Sequence, residues 1–141
     1  MREMNDDEVR AFLLAGTRTG KLATVRSDGR PHLVPVWFTI RDDSVVFNTQ
    51  KSSVKARNMR AEPRVAITVD DETPPYSFVT VEGVATLSDG DPDLLKIATV
   101  IGGRYMGADR ADEYGARNGV PGELVVRVSM DKVMSGGDVA D

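Results

Sequence analysis

Hydrophobic residues along this chain follow two spacings, one typical of strands and one typical of helices. Short apolar runs bounded by turn residues are typical of strands, whereas apolar residues three and four positions apart are typical of amphipathic helices. The pattern predicts strands at 21–26, 31–40, 44–49, 64–69, 76–87 and 123–130, and helices at about 5–15, 52–61 and 91–102. Residues 107–122 are rich in Gly and charge, and they are predicted to be irregular.

Local signals support several of these boundaries. Asn5 followed by Glu8 resembles a capping box at the start of the first helix. Pro63 ends the second helix, because a residue before proline is pushed out of the helical region. Asp91 is a good N-cap for the third helix. Gly83, inside the long fifth strand, predicts a bulge or a close approach of another backbone.

Six antiparallel strands predict a mainly β, α+β fold, in which a small antiparallel barrel carries short helices. Closing a sheet into a barrel removes exposed strand edges. We expect a single domain over residues 1–134 and a flexible tail over residues 135–141. The second to fifth strands carry apolar residues at both parities, so their outer face needs a cover. A second copy of the chain, in a two-fold homodimer, is the expected cover.

Composition narrows the function classes. The net charge is −4, which disfavours general nucleic-acid binding. The chain has no Cys and one His, so disulfides, thiolate chemistry and multi-histidine metal sites are excluded. No apolar run approaches membrane-spanning length and the acidic N-terminus lacks a signal-peptide core. We therefore expect a cytoplasmic protein without a membrane partner.

The segment 49–58 contains several hydroxyl and cationic side chains at the junction between a predicted strand and a predicted helix. Thr49 and Ser53 supply hydroxyls, and Lys51, Lys55 and Arg57 supply positive charge. A helix N-terminus has free N–H donors and a positive dipole end, so this place favours a phosphate. The alternative is a Ser-capped surface helix whose lysines are simply solvated.

Catalytic side chains are scarce. His32, the only histidine, lies beside Pro31 at a strand start, and no base accompanies Ser52 or Ser53 in the sequence. The carboxylates cluster in turns, where no paired acid and base can be placed. We therefore predict no catalytic side chain and no metal site. An anion-binding segment without acid–base groups suggests that a bound cofactor carries the chemistry.

A flat ring could lie against the second strand. Pro35 cannot donate to a strand ladder, so it marks an edge or an opening of the sheet. Trp37 follows it and is the only Trp in the chain. The alternative interpretation is that Trp37 and Phe38 are core or dimer-interface residues.

Five segments resemble, in order, the motifs of one family. They read LATVRSDGRPH at 22–32, VPVWF at 34–38, KARNMRAEPRVA at 55–66, PYSFVTVEGVA at 75–85 and RYMG at 104–107. Together they are similar to the split-barrel superfamily of pyridoxamine-phosphate-oxidase-like flavin- and deazaflavin-binding proteins. The most similar branch is the actinobacterial deazaflavin-dependent reductases. The resemblance covers about residues 10–130 and implies a six-stranded antiparallel split β-barrel.

The resemblance also implies where a cofactor binds. A phosphate is expected near Thr49, Ser53 and Lys55, with Lys51 and Arg57 as further candidates, and Asn58 of the same segment is expected to bind the cofactor. A tricyclic ring is expected against Val34, Pro35 and Val36 and near Trp37. Family members close the pocket, often around a dimer interface, with residues that correspond to Tyr76, Ser77 and Phe78.

Departures from the oxidase pattern favour the deazaflavin coenzyme F(420) over FMN. The oxidases carry an Arg-Lys pair where this chain has Val54-Lys55, a ring-contacting Arg aligned with Val34, and a Gln aligned with Phe78. The ring of F(420) resembles that of FMN, and its tail is a phospholactyl-oligoglutamate. The acidic tail suits the excess of cations at Lys51, Lys55, Arg57 and Arg60.

The resemblance therefore implies a homodimeric oxidoreductase that transfers a hydride from reduced F(420) to a small organic acceptor. Two alternatives stay open. One is an FMN-dependent oxidase or reductase of the same fold, and the other is a non-catalytic carrier of a flavin, a deazaflavin or haem. Fold alone does not separate them, because function depends on the site. The acceptor is not identified by any motif.

Overall fold

The computed structural model describes all 141 residues and is built on antiparallel strands. It has eight strands and four α-helices, in the order α1 Asp6–Leu14, β1 Gly20–Val25, β2 Pro31–Val36, β3 Thr39–Arg41, β4 Ser44–Gln50, α2 Val54–Ala61, β5 Arg64–Asp71, β6 Ser77–Asp89, α3 Leu94–Met106, α4 Ala111–Asn118, β7 Glu123–Ser129 and β8 Lys132–Gly136. The predicted mainly β, α+β split-barrel fold is confirmed. No helix is long and apolar enough to cross a membrane.

The strands lie in the order β2-β1-β5-β6-β7-β4-β3, and β8 pairs with β6. The predicted strand 31–40 is two strands, because the chain leaves one partner and joins another at Trp37-Phe38. Val36 ends the pairing of β2 with β1, and Thr39 begins the pairing of β3 with β4. Since β2 pairs only with β1, it is an edge strand, as Pro35 predicted.

The long strand β6 links the two halves of the barrel. Its residues 77–84 pair with β5 and its residues 85–89 pair with β7. Gly83 stands at this change of partner, where a Cβ would overlap the carbonyl oxygen of Ser129. The predicted close approach of another backbone at Gly83 is confirmed.

A cluster of 17 buried apolar residues fills the barrel. Phe38 and Phe47 are its largest members, and both are fully buried. Helix α1 closes the barrel with Val9 and Leu13, and its capping box at Asn5 and Glu8 is present as predicted. A second, smaller cluster under α3 contains Val46, Ile97, Ile101 and Val125, with Trp37 and Tyr105 packed against it.

The prediction that residues 107–122 are irregular was wrong. The segment contains a short 3₁₀ turn, Ala108–Arg110, followed by α4. Glycines on both α3 and α4 permit the two helices to pack closely rather than breaking them. A Cβ on Gly102 would lie 2.6 Å from the Cβ of Tyr114, and one on Gly115 would overlap Thr99. Tertiary packing of α3 against α4 has overridden the low helix propensity of Gly.

The C-terminal segment, predicted as a flexible tail from residue 135, is paired with the rest of the domain. β8 lies beside β6, with Ser135 opposite Val79. Gly137 exchanges two backbone hydrogen bonds with Arg2, and the N–H of Ala140 donates to the carbonyl of Pro75 at 2.8 Å. The segment is too short and too polar to carry a strand pattern of its own, and it depends on partners distant in sequence.

Candidate functional site

The hydroxyls of the strand-to-helix segment cap α2. The Oγ of Ser53 accepts the N–H of Ala56 at 3.1 Å, and it lies 3.0 Å from the Oγ1 of Thr49. Thr49 is buried at the end of β4, so the pair is held in place by the sheet. These contacts fix the first turn of α2, whose remaining N–H groups face solvent or a ligand.

The three cations of this segment differ in their surroundings. Lys51 and Arg57 are exposed, and the backbone carbonyl of Lys51 accepts a hydrogen bond from Arg60 at 2.9 Å. Lys55 is half-buried, and burial lowers the pKa of its ammonium group while the nearby carboxyl of Glu123 opposes that shift. Lys55 forms no ion pair or hydrogen bond through its side chain. It is therefore a partly desolvated cation without a partner, which an anionic ligand could supply.

A cleft of about 290 Å³ lies beside Lys55. Besides Lys55 on α2, its walls include Pro35 and Val36 at the end of β2 with Trp37 just after them, Asn48 on β4, Ala98 and Ile101 on α3, and Glu123 at the start of β7. Asn118, at the end of α4, completes it. Of the residues expected to bind a cofactor, the structure thus brings Pro35, Val36, Trp37 and Lys55 to one cleft. Thr49 lines an adjoining hollow of about 270 Å³.

Trp37 is held in place by stacking. Its ring lies parallel to that of Tyr105, with centroids 5.1 Å apart and 5° between the planes. The Oη of Tyr105 donates to the carbonyl of Arg18 at 3.0 Å, and burial raises the pKa of Tyr105, which keeps the phenol protonated. Trp37 is therefore both a packing residue and a wall of the cleft. A ring supported in this way is a rigid surface for a flat ligand.

Arg104 holds the helix that forms the far wall. Its guanidinium donates to three backbone carbonyls, those of Gly16 at 3.0 Å, Phe38 at 2.8 Å and Leu13 at 2.7 Å. These carbonyls belong to the end of α1 and to the crossing between β2 and β3. The contacts tie α3 to the end of α1 and to the residue that follows Trp37.

Sequence reasoning missed Glu123. Its Oε1 accepts a hydrogen bond from the Nδ2 of Asn48 at 2.8 Å, and the same amide nitrogen lies 3.2 Å from the carbonyl of Asn118. Burial raises the pKa of Glu123, against the opposing effects of Asn48 and Lys55. No local motif marks this pair, because Asn48 and Glu123 are 75 residues apart and meet only through β4–β7 pairing.

Other predicted site residues lie elsewhere. Asn58 is buried and donates to the Oγ1 of Thr24 at 3.0 Å, and Val34 packs against the barrel core. Tyr76, Ser77 and Phe78 line a separate hollow of about 430 Å³, together with the acidic residues Asp70, Asp71 and Glu72. A single chain does not bring this hollow and the Lys55 cleft together.

His32 does not line the cleft. It lies in β2 opposite Thr24, and it is half-buried, with its Nδ1 lacking a hydrogen-bond partner. The structure places no acidic residue beside the cleft other than Glu123. No cluster of side chains that could hold a metal ion is present.

Comparisons with known proteins agree with this architecture. The pyridoxamine 5'-phosphate oxidase family matches residues 5–134. The structure of a conserved hypothetical protein from Mycobacterium tuberculosis superposes with a TM-score of 0.82 at 28% identity, covering 96% of this chain and 86% of that chain. An F(420) reductase superposes with a TM-score of 0.68 at 28% identity, covering 88% of this chain and 94% of the reductase.

A third similar structure is an FAD-binding protein from Mesorhizobium loti. It superposes with a TM-score of 0.66 at 23% identity, and the match covers 95% of this chain and 93% of the FAD-binding protein. At this identity the likeness speaks for the fold alone.

Proposed function

Because the chain belongs to the pyridoxamine 5'-phosphate oxidase family, we propose that it is an oxidoreductase that binds coenzyme F(420). In this proposal a hydride passes from the reduced cofactor to a small organic acceptor. The likeness to an F(420) reductase, at 28% identity, supports the cofactor. The proposal also places the protein in the cytoplasm.

The observation that carries the proposal is the half-buried, unpaired ammonium of Lys55 beside Trp37. A phosphate beside Lys55 would compensate the ammonium for the solvation that burial has removed, through a charge-assisted hydrogen bond. At about 290 Å³, the cleft is slightly smaller than the usual range of about 300–1,000 Å³ for ligand sites. It therefore suits the phosphate and polyol of the cofactor, while the ring would lie over its rim along Pro35 and Trp37.

The residues of this chain bind and orient rather than transfer protons. Lys55 would hold the phosphate, and Trp37, fixed by Tyr105, would limit the tilt of the ring. Orientation of this kind can supply much of a rate acceleration. The bound deazaflavin would supply the hydride, and solvent or the cofactor would supply the proton, because His32, the only histidine, does not line the cleft.

FMN is the second candidate cofactor. It is less favoured because Val34 and Phe78 replace the Arg and Gln that the oxidases use around the FMN ring. A non-catalytic carrier of a flavin, deazaflavin or haem is the third possibility, and a turnover assay with reduced cofactor separates it from an enzyme.

The protein is expected to discriminate between F(420) and FMN. We expect F(420) to bind in the micromolar range or tighter and FMN to bind more weakly. Quenching of Trp37 fluorescence reports both titrations, because Trp37 is the only Trp and lines the cleft. Tight FMN binding without an F(420) signal would reject the assignment.

The proposal includes a homodimer formed through the outer face of β1, β2, β5 and β6. Leu33 on this face is 66% exposed, and a hollow of about 490 Å³ lies nearby. The hollow carries two basic residues, Arg64 and Lys132, and two acidic residues, Glu82 and Asp131. Apolar surface with balanced charges suits a self-complementary two-fold contact. It would also bring the Tyr76–Phe78 hollow of one protomer towards its partner.

Leu33→Asp is expected to convert the dimer to a monomer, because it buries a charge in the apolar contact. Light scattering after size-exclusion chromatography measures the change. Leu95→Asp is the matched control, since Leu95 is 57% exposed on α3, away from this face. A wild-type monomer, or equal effects of the two substitutions, would contradict the proposed interface.

His32 and Trp37 should differ in their effect on turnover at saturating reduced cofactor. His32→Ala is expected to keep activity within about tenfold, whereas a general acid is worth roughly 10²–10⁴-fold. Trp37→Ala should lose more activity, because the ring loses a rigid wall. A thousandfold loss for His32→Ala with unchanged cofactor binding would make His32 the proton donor.

A further inference from the structure

Two charged side chains line the cleft, and they have opposite signs. Lys55 enters it from α2 and Glu123 from the start of β7. They form no direct ion pair with each other, although both line the same cleft. Asn48 holds the Glu123 carboxyl in place at 2.8 Å. Arg117, in the adjoining hollow, is exposed and lies over the ring of Tyr114 at 5.4 Å.

The charges of Lys55 and Glu123 cancel, so the cleft has almost no net charge, which is unusual for a phosphate-binding site. A ligand phosphate attracted by Lys55 is repelled by Glu123, and the repulsion grows with the charge of the phosphate. A phosphomonoester such as FMN carries about 1.5–2 negative charges at pH 7. The phosphate of F(420) bridges the ribityl and lactyl groups as a diester, so it carries one.

We propose that Glu123 is a specificity-determining residue that selects a phosphodiester cofactor over a phosphomonoester in the Lys55 cleft. The proposal deepens the proposed function and rests on it for the identity of the preferred ligand. Glu123 does so as a fixed negative charge, placed by β4–β7 pairing and oriented by Asn48. The glutamyl tail of F(420) would extend into solvent, where salt screens its carboxylates.

Titration of three ligands against wild type and Glu123→Gln tests this. Gln keeps the acceptor oxygen for Asn48 and removes the charge. If one unit of ligand charge is worth about threefold, Glu123→Gln should tighten F(420) about threefold and FMN about tenfold. Riboflavin, which has no phosphate, should change by less than about twofold. Trp37 fluorescence reports every titration in the same cleft.

Two further variants complete the design. Glu123→Asp keeps the charge and should keep the discrimination between FMN and riboflavin, so an equal loss of discrimination in Glu123→Asp and Glu123→Gln would point to packing and overturn the charge argument. Glu113→Gln is the matched control, because Glu113 is exposed on α4 and pairs with Arg110. It should leave all three affinities unchanged.

Several outcomes would overturn the role of Glu123. If Glu123→Gln increased the affinity for FMN and for riboflavin equally, the cleft would discriminate by the shape of the ligand and not by its charge. Weaker FMN binding to that variant would mean that Glu123 accepts a hydrogen bond from the ligand. Failure of wild type to bind F(420) would reject the proposed cofactor, while the comparison of FMN with riboflavin would still decide the charge argument.

Discussion

Lys55→Ala is expected to weaken cofactor binding by about 10- to 150-fold, or roughly 1.5–3 kcal/mol. The reason is that a phosphate in the cleft would lose its charge-assisted donor. The free energy of unfolding should barely change, because Lys55 forms no hydrogen bond or ion pair in the domain. Fluorescence titration and urea denaturation of the same preparations measure the two quantities.

Lys96→Ala is the matched control for Lys55→Ala. Lys96 is exposed on α3 outside the cleft, so its removal should leave both binding and stability unchanged. If Lys55→Ala lowered stability strongly and left binding intact, Lys55 would be part of a structural helix surface and the anion site would be rejected.

Gly83→Ala should be the most destabilising single substitution considered, with a cost of more than about 3 kcal/mol. The added methyl would overlap the carbonyl oxygen of Ser129. That oxygen belongs to the backbone of β7 and cannot rotate away, so one of the two strands must shift. The midpoint of urea unfolding measures the loss, and an insoluble product would itself agree with the expectation.

Gly29→Ala separates overlap from backbone strain. Gly29 has a φ of 89° and nothing within 4 Å of an added Cβ, so it should cost only about 1–2 kcal/mol. Equal losses for Gly29→Ala and Gly83→Ala would show that β6 and β7 adjust easily at their closest approach.

Elements with their own end signals were predicted well from sequence. The capping box at Asn5 and the stop before Pro63 act through neighbouring backbone, so a local pattern contains them. Gly83 was recognised because a glycine inside a strand marks the close approach of another backbone. Three features depend on distant partners and were missed or misjudged. They are the break at Trp37-Phe38, the helix α4 and the strand β8. Each owes its form to packing or pairing across the barrel.

The candidate site divides in the same way. Lys55 was predicted because it follows a strand-to-helix junction, and Trp37 because it closely follows Pro35 at the end of an edge strand. Glu123 could not be predicted from sequence, because it reaches the Lys55 cleft only after β7 pairs with β4. Asn58 was expected at the ligand, yet it bonds to Thr24 inside the barrel. A polar residue on a short helix can lie on the face towards solvent or on the face towards the sheet. For Asn58 the hydrogen-bond partner on β1 sets the choice.

The double membership of β6 has a consequence for folding cooperativity. Because one strand completes both halves of the barrel, neither half has a full set of strand partners until the other has formed. We therefore expect a single all-or-none unfolding transition without a half-barrel intermediate. Ligand bound at one wall then stabilises the whole domain by an amount that rises with the logarithm of the ratio of ligand concentration to Kd. A shift in melting temperature would rank cofactors for this protein without any assay of turnover.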